Sequence, residues 1–162
     1  MTSPSPRKKK AATVAGIACM LVALALIPAL CARQARPQEY ADTYAQAQEA
    51  GIVAAVERVR PGLVPPTARE IHHIRHEPTG AAWVRFLFNP ALTAQVTRGM
   101  RQLSAEEMKT VQVRSPGAAV QWWLLSSRTL SGGQGKQVRA YEAPDGYLVI
   151  DPRSSTAYYW TR

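Results

Sequence analysis

Apolar residues are spread unevenly along the chain, and the densest run lies near the N-terminus. Residues 11–32 carry no charge, and Thr13 is the only clearly polar residue among them. At ~1.5 Å rise per residue, about 20 such residues cross the ~30 Å hydrocarbon core of a bilayer. The basic run 7–10 precedes this segment, as expected for a cytoplasmic N-terminus. The pattern therefore predicts a transmembrane anchor over residues 11–32.

Two other interpretations of this segment stay open. A cleaved secretory signal usually has an apolar region of roughly 7–15 residues and a small-x-small cleavage site. Here the run is longer, and residues 29–33 offer only a mediocre site. A lipoprotein signal needs a small residue before the lipidated cysteine, whereas Leu30 precedes Cys31. We therefore expect a retained anchor in the bacterial inner (cytoplasmic) membrane.

The anchor divides the chain into four parts. Residues 1–10 form a basic cytoplasmic N-terminus, residues 11–32 the anchor, residues 33–39 a polar tether, and residues 40–162 an exported domain. Both cysteines of the chain precede the exported domain. A domain without cysteine in an oxidising compartment must be stabilised by its core and has no thiol chemistry.

The first part of the exported domain shows two helical patterns. Asp42 is placed to cap a short helix that runs to Ala50, with Gly51 as its terminator. Apolar residues recur through 52–59 at helical spacing, and Arg60-Pro61-Gly62 ends this second helix.

Alternating apolar residues then predict a β-hairpin. Segments 70–77 and 82–88 flank the turn sequence Pro78-Thr79-Gly80. In the second segment the period is two, which places every other side chain on the same face. The face expected in the core is formed by Val84, Phe86 and Phe88.

The remaining pattern completes an α+β domain. Asn89-Pro90 is a helix start, and the stripe expected on that helix is Leu92, Val96, Met100 and Leu103. Ser104 and Glu107 have capping-box spacing. Strands are predicted over 138–143, 147–151 and 157–161. We expect an N-terminal transmembrane helix followed by an α+β domain with an antiparallel sheet of about five strands and several short helices.

Charge excludes nucleic acid as the natural partner. Four of the 20 basic residues precede the anchor, so 16 basic and 11 acidic residues remain, and the exported part carries +5. These arginines are scattered singly, whereas nucleic-acid surfaces cluster them. The membrane, and another envelope protein, are the expected partners.

Several segments of the exported domain resemble a known group of proteins. These segments are TYA at 43–45, VPPTAREIH at 64–72, WVRFLF at 83–88, WW at 122–123, GYLVIDPR at 146–153 and YYW at 158–160. None of them is a chemical signature. Over residues 40–162 the chain resembles a family of small bacterial membrane-anchored or lipoprotein-like envelope proteins of unknown function. The resemblance implies a location in the envelope and assigns no activity or site.

The three histidines are the first candidates for chemistry. On a helix, His72 and His76 would share a face and hold one metal ion, but the zinc-protease motif needs a glutamate where His73 stands. On a strand, positions 72 and 76 are ~13 Å apart at ~3.3 Å per residue, too far to share an ion. We expect no metal site. An exported hydrolase that uses His72 and His76 remains an alternative.

Other catalytic patterns are missing from the sequence. A G-x-S-x-G nucleophile elbow does not occur. The glycine-rich segment 131–135 lacks the lysine-serine pair of a phosphate loop. We predict no catalytic residue and no cofactor.

Trp122 and Trp123 are the candidate binding residues. Side chains of adjacent residues diverge by about 100° on a helix and point to opposite faces on a strand, so one core cannot take both from a regular element. The pair lies in a loop-rich segment, and binding residues concentrate in loops. We expect a binding or accessory module that contacts a partner through this pair. A periplasmic enzyme inhibitor is a further alternative, and burial of both rings would explain the pair equally well.

Overall fold

Seven strands form one antiparallel sheet in the computed structural model, which describes residues 38–117, 120–131 and 138–162. The spatial order of the strands is β1-β2-β3-β7-β6-β5-β4, so the C-terminal strand lies in the middle beside β3. Their bounds are β1 (Gln38–Thr43), β2 (Arg69–His76), β3 (Ala81–Leu87), β4 (Arg101–Gln102), β5 (Arg139–Ala143), β6 (Gly146–Asp151) and β7 (Thr156–Thr161).

Short helices occupy the connections between these strands. They are α1 (Tyr44–Glu49), α2 (Ile52–Val59), a 3-10 turn (Pro90–Leu92), α3 (Thr93–Val96), α4 (Ala105–Thr110) and α5 (Ser127–Leu130). The α+β class and the antiparallel sheet are confirmed. The expected number of about five strands is corrected to seven over the described residues, because the two edge strands, β1 and β4, were not predicted.

The edge strand β1 changes the expected start of the domain. Gln38 and Glu39, assigned to the tether from the sequence, are the first residues of β1. Asp42 also lies in this strand, so the cap of α1 is Thr43, whose hydroxyl accepts a hydrogen bond from the backbone N–H of Gln46 at 3.3 Å. Gly51 takes the left-handed conformation predicted for a helix terminator, with φ +77°.

The predicted hairpin is confirmed. β2 and β3 pair across a turn at 77–80, and Val84, Phe86 and Phe88 all lie in the core. These side chains face α1 and α2, and the same core includes residues of β6 and β7. Its largest fully buried members are Ile52, Leu63, Ile71, Phe86, Leu148 and Tyr159.

The opposite face of the sheet is covered as well. A second core lies between the strands and the described residues of the covering segment, 103–117 and 120–130. Its aromatic members are Trp83, Trp123, Tyr158 and Trp160. Because β7 is buried on both faces, its consecutive residues Tyr158, Tyr159 and Trp160 are all less than one-tenth exposed.

The helix predicted after Asn89 is shorter than its apolar stripe suggested. The Asn89 carboxamide caps a 3-10 turn by accepting a hydrogen bond from Ala91 N–H at 3.0 Å, and α3 ends at Val96. Gly99 has φ +70° and ends the helical path. The expected stripe is therefore wrong beyond Met100, because Leu103 packs in the core on the other face of the sheet.

Two local predictions in the second half are confirmed. Ser104 and Glu107 form a reciprocal capping box at the start of α4. The three predicted C-terminal strands are β5, β6 and β7, each within a residue or so of its expected bounds.

The predicted anchor, residues 11–32, lies outside the described residues. Within the described ranges, every helix is too short or too polar to cross a bilayer.

Candidate functional site

The register of the sheet places a row of polar and aromatic side chains on the face that carries the second core. Tyr40 in β1 is opposite His72 in β2, and His72 is opposite Arg85 in β3. Arg85 is in turn opposite Tyr158 in β7. Directly opposed residues of neighbouring strands point to the same face, so these four side chains form one row across the sheet.

Trp122 packs on His72, the member of this row that lies in β2. Its indole stacks on the His72 imidazole, with ring centroids 5.0 Å apart and an interplanar angle of 23°. His72 also contacts the Tyr40 ring, at a centroid distance of 4.6 Å and an interplanar angle of 39°. The partly buried imidazole therefore packs against two aromatic rings from different parts of the chain.

Trp123 has a different environment from its neighbour. Its ring meets Tyr158 and Trp160 edge to face, with centroid distances of 5.4 and 6.2 Å. Trp123 is 8% exposed and belongs to the second core, whereas Trp122 is only partly buried. The two predicted binding residues thus separate into a core residue, Trp123, and a partly buried residue packed against that core, Trp122.

Two exposed apolar side chains are associated with Trp122: Tyr40 contacts the His72 ring on which Trp122 stacks, and Leu124 is two residues further along the chain. Among the described residues, Tyr40 at 52% and Leu124 at 68% are the large hydrophobic side chains that remain exposed. We call the surface formed by Tyr40, His72, Trp122 and Leu124 the Trp122 patch. Exposed apolar groups that adjoin each other mark interaction surfaces more often than isolated ones do.

The patch has a neutral imidazole at neutral pH. Burial, followed by the positive charge of Arg85, lowers the pKa of His72 to about 4, and the charge of Glu70 opposes this only in part. The imidazole therefore contributes to the patch as an uncharged aromatic ring.

Arg85, a member of this row, forms an ion pair with Glu70. Both terminal nitrogens of Arg85 lie 3.4 Å from one carboxylate oxygen of Glu70. Glu70 has a positive φ of +47° at a bulge in β2, a conformation that is costly for a residue with a Cβ. Bulges re-aim side chains, and this one places the Glu70 carboxylate against Arg85.

The histidines do not converge. His73 points to the opposite face, where its Nδ1 lies 2.5 Å from the Glu39 carboxylate. His76 Nδ1 lies 2.7 Å from the Thr79 hydroxyl in the hairpin turn. Over the described part of the chain, no three His, Cys, Asp or Glu side chains gather as a metal-binding group.

Sequence reasoning did not single out Tyr40 or Leu124 as surface residues. Tyr40 was assigned to the start of the domain. Its place on this surface depends on β1, a strand that no alternation of apolar and polar residues predicts. Arg85 did give a signal, because it is a charged residue opposite phenylalanines in an otherwise apolar strand.

Comparison of the chain with protein-family models, with curated proteins and with solved structures finds no match.

Proposed function

We propose that this protein is a single-pass envelope protein whose exported domain binds a partner protein through the Trp122 patch. The observation that carries the proposal is the stacking of partly buried Trp122 on His72, whose imidazole also contacts the exposed Tyr40 ring, with the exposed Leu124 two residues further along the chain. Tryptophan and tyrosine are enriched among the residues that dominate binding energy at protein interfaces.

The construction of the patch favours binding over catalysis. His72 packs against the rings of Tyr40 and Trp122. Its charged neighbours Arg85 and Glu70 form an ion pair with each other. An aromatic surface held in place by a core tryptophan is already ordered before a partner arrives. Preorganisation of this kind reduces the entropy cost of association.

The patch also reaches the rim of the sheet. Tyr40 is on β1, which pairs with β2 alone among the described strands, and five of the six residues of β1 are exposed. Edge strands offer unpaired main-chain groups to an incoming extended segment. A partner can therefore contact the Tyr40 ring and the edge of β1 together.

The envelope location of this module rests on the segment at 11–32 and on the basic run before it. An anchored binding module meets partners in the same membrane or in the adjacent compartment. The expected partner is therefore another envelope protein.

Single substitutions in the tryptophan pair test the proposal. Trp122→Ala should lower the thermal unfolding temperature less than Trp123→Ala does, because its ring is only partly buried, and should weaken capture of the partner from solubilised membranes. Trp123→Ala is the matched control, and loss of its core contacts should cost about 3–5 kcal/mol of stability. If both variants only lower stability and capture is unchanged in folded protein, the binding surface lies elsewhere.

A further inference from the structure

A cavity lies beside the Trp122 patch, on the same face of the sheet. Its volume is about 180 Å³. Its floor is the sheet, and Leu124, Leu125 and Thr129 form a wall from the covering segment. Sites for drug-sized ligands measure about 300–1,000 Å³, so this cavity has the size for a smaller molecule.

Opposite charges stand at two sides of the cavity. Arg85 lines it from β3 and Asp151 from β6, and β7 lies between these strands. With ~4.8 Å between neighbouring strands, the two backbones are about 10 Å apart. The lining of one cavity therefore holds a cationic and an anionic side chain, which suits a ligand that carries both an anionic and a cationic group.

Both charged groups retain capacity for a ligand. The Arg85 Nε atom is buried without a hydrogen-bond partner among the described residues, and the contacts of Arg85 with Glu70 are long, at 3.4 Å. One oxygen of Asp151 accepts a hydrogen bond from Arg153 N–H at 3.0 Å. Its carboxylate keeps further acceptor sites, because an ionised carboxylate has about four.

The lining of the cavity also combines hydroxyl-bearing and apolar side chains, and the hydroxyl-bearing residues are Thr129, Ser154, Thr156 and Tyr158. Burial raises the pKa of the Tyr158 hydroxyl, and a hydrogen bond with Arg85 and the charge of Arg85 oppose this rise only in part, while the charge of Asp151 adds to it. The apolar part of the lining is formed by Leu125, Val138 and Val149. A ligand with a carboxylate, an ammonium group and a small apolar side chain matches each of these surfaces.

We infer that this cavity binds a free α-amino acid. Arg85 and the Tyr158 hydroxyl receive the carboxylate, and Asp151 receives the ammonium group. The apolar side chain of the ligand packs against Val138 and Val149. Charge-assisted hydrogen bonds at both ends, each about 2.7–2.9 Å long, fix the orientation of the ligand.

Calorimetry on the full-length, untagged protein in detergent tests this inference with small probes. The probes are the L and D forms of alanine and leucine, with 4-methylpentanoate and 3-methylbutylamine as analogues that each carry one of the two charges of leucine. At least one amino acid should bind saturably below about 10 mM. Each single-charge analogue should bind at least about tenfold more weakly than leucine if leucine is the ligand that binds.

A variant of Asp151 tests the end of the site that receives the ammonium group. Asp151→Asn should weaken amino-acid binding about tenfold or more and leave 4-methylpentanoate unaffected, because only the ammonium partner is lost. Glu49→Gln is the matched control, since it likewise removes one negative charge, from an exposed position outside the cavity lining. Trp122→Ala should leave amino-acid affinity unchanged, which separates this site from the partner-binding surface.

Three results would overturn the inference. The first is the absence of saturable binding by all four amino acids up to about 10 mM. The second is equal affinity for an amino acid and its single-charge analogues. The third is unchanged amino-acid affinity in folded Asp151→Asn protein.

Discussion

His72 illustrates how the surroundings of one side chain determine its charge. Burial and the neighbouring Arg85 disfavour the imidazolium form, so the folded protein binds this proton less readily than the unfolded chain does. The contribution of His72 to stability is therefore complete above about pH 6.5 and is lost as the pH falls towards 4.

This environment gives a prediction for NMR. In a pH titration of the histidine ring protons, one resonance should titrate with a pKa near 4. The same resonance should be missing from the spectrum of His72→Gln, which provides its assignment. A pKa at or above about 6.5 for that resonance would show that His72 is not packed against Tyr40 and Trp122.

Phe86 provides the corresponding test in the core. Its side chain is fully buried between the sheet and the first helices, so Phe86→Ala should lower the free energy of unfolding by about 3–5 kcal/mol. Urea denaturation measures this loss, and Leu87→Ala, at the half-buried neighbouring position, should cost less. A loss below about 1 kcal/mol for Phe86→Ala would place the other face of β3 in this core.

Single positions differ in how far the sequence predicts them. The burial of Phe86 follows from a period-two pattern, because alternation alone assigns a face. The separation of Trp122 from Trp123 does not follow from any local pattern. It depends on the rings of Tyr158 and Trp160, which come from a strand some 35 residues further along the chain and form the surface that Trp123 covers.

Strand pairing in the C-terminal half depends on one glycine. A Cβ atom at Gly146, the first residue of β6, would lie 2.2 Å from the Trp160 carbonyl oxygen of β7 and 2.9 Å from the Tyr159 hydroxyl. The backbone of β7 cannot move away without disturbing the centre of the sheet. Glycine is therefore required at this position by the close approach of the β6 and β7 backbones.

Gly146→Ala should lower the free energy of unfolding by about 1–3 kcal/mol or more, since overpacking forces a shift of β7. Chemical denaturation gives the value, and hydrogen exchange of the β6 and β7 amides reports whether the pairing has loosened. A loss below about 0.5 kcal/mol with unchanged exchange would contradict the close approach.

Elements with strong local signals are predicted well, and those that depend on neighbours are not. The capping box at Ser104 identifies the start of α4 because both hydrogen bonds form within four residues. β4 has two residues, Arg101 and Gln102, and exists through its pairing with β5. β1 is similar, because its pairing with β2 outweighs the helical signal at Asp42.

The order of the strands is a property of the whole chain. β3 and β7 pair in the centre of the sheet although about 70 residues separate them. Hydrophobic pattern identifies both strands but carries no information about which strands become neighbours. The row from Tyr40 to Tyr158, and with it both proposed sites, results from this long-range pairing.

Anchoring gives a prediction for the intact protein. If residues 11–32 are a retained transmembrane segment, the mass of protein purified from membranes should include them. A mature protein that begins near Arg33 would indicate a cleaved signal, and one that begins at a lipid-modified Cys31 would indicate a lipoprotein. Either result would contradict the anchor.

Photocrosslinking in intact cells tests the Trp122 patch as a partner-binding surface. Benzoylphenylalanine placed at Leu124, which is 68% exposed beside Trp122, should give a discrete crosslinked species that contains another envelope protein. The same group at Leu92, a partly buried residue packed against the other core, is the matched control and should give no such species. No crosslinked protein at Leu124, or the same products at both positions, would contradict the proposed function.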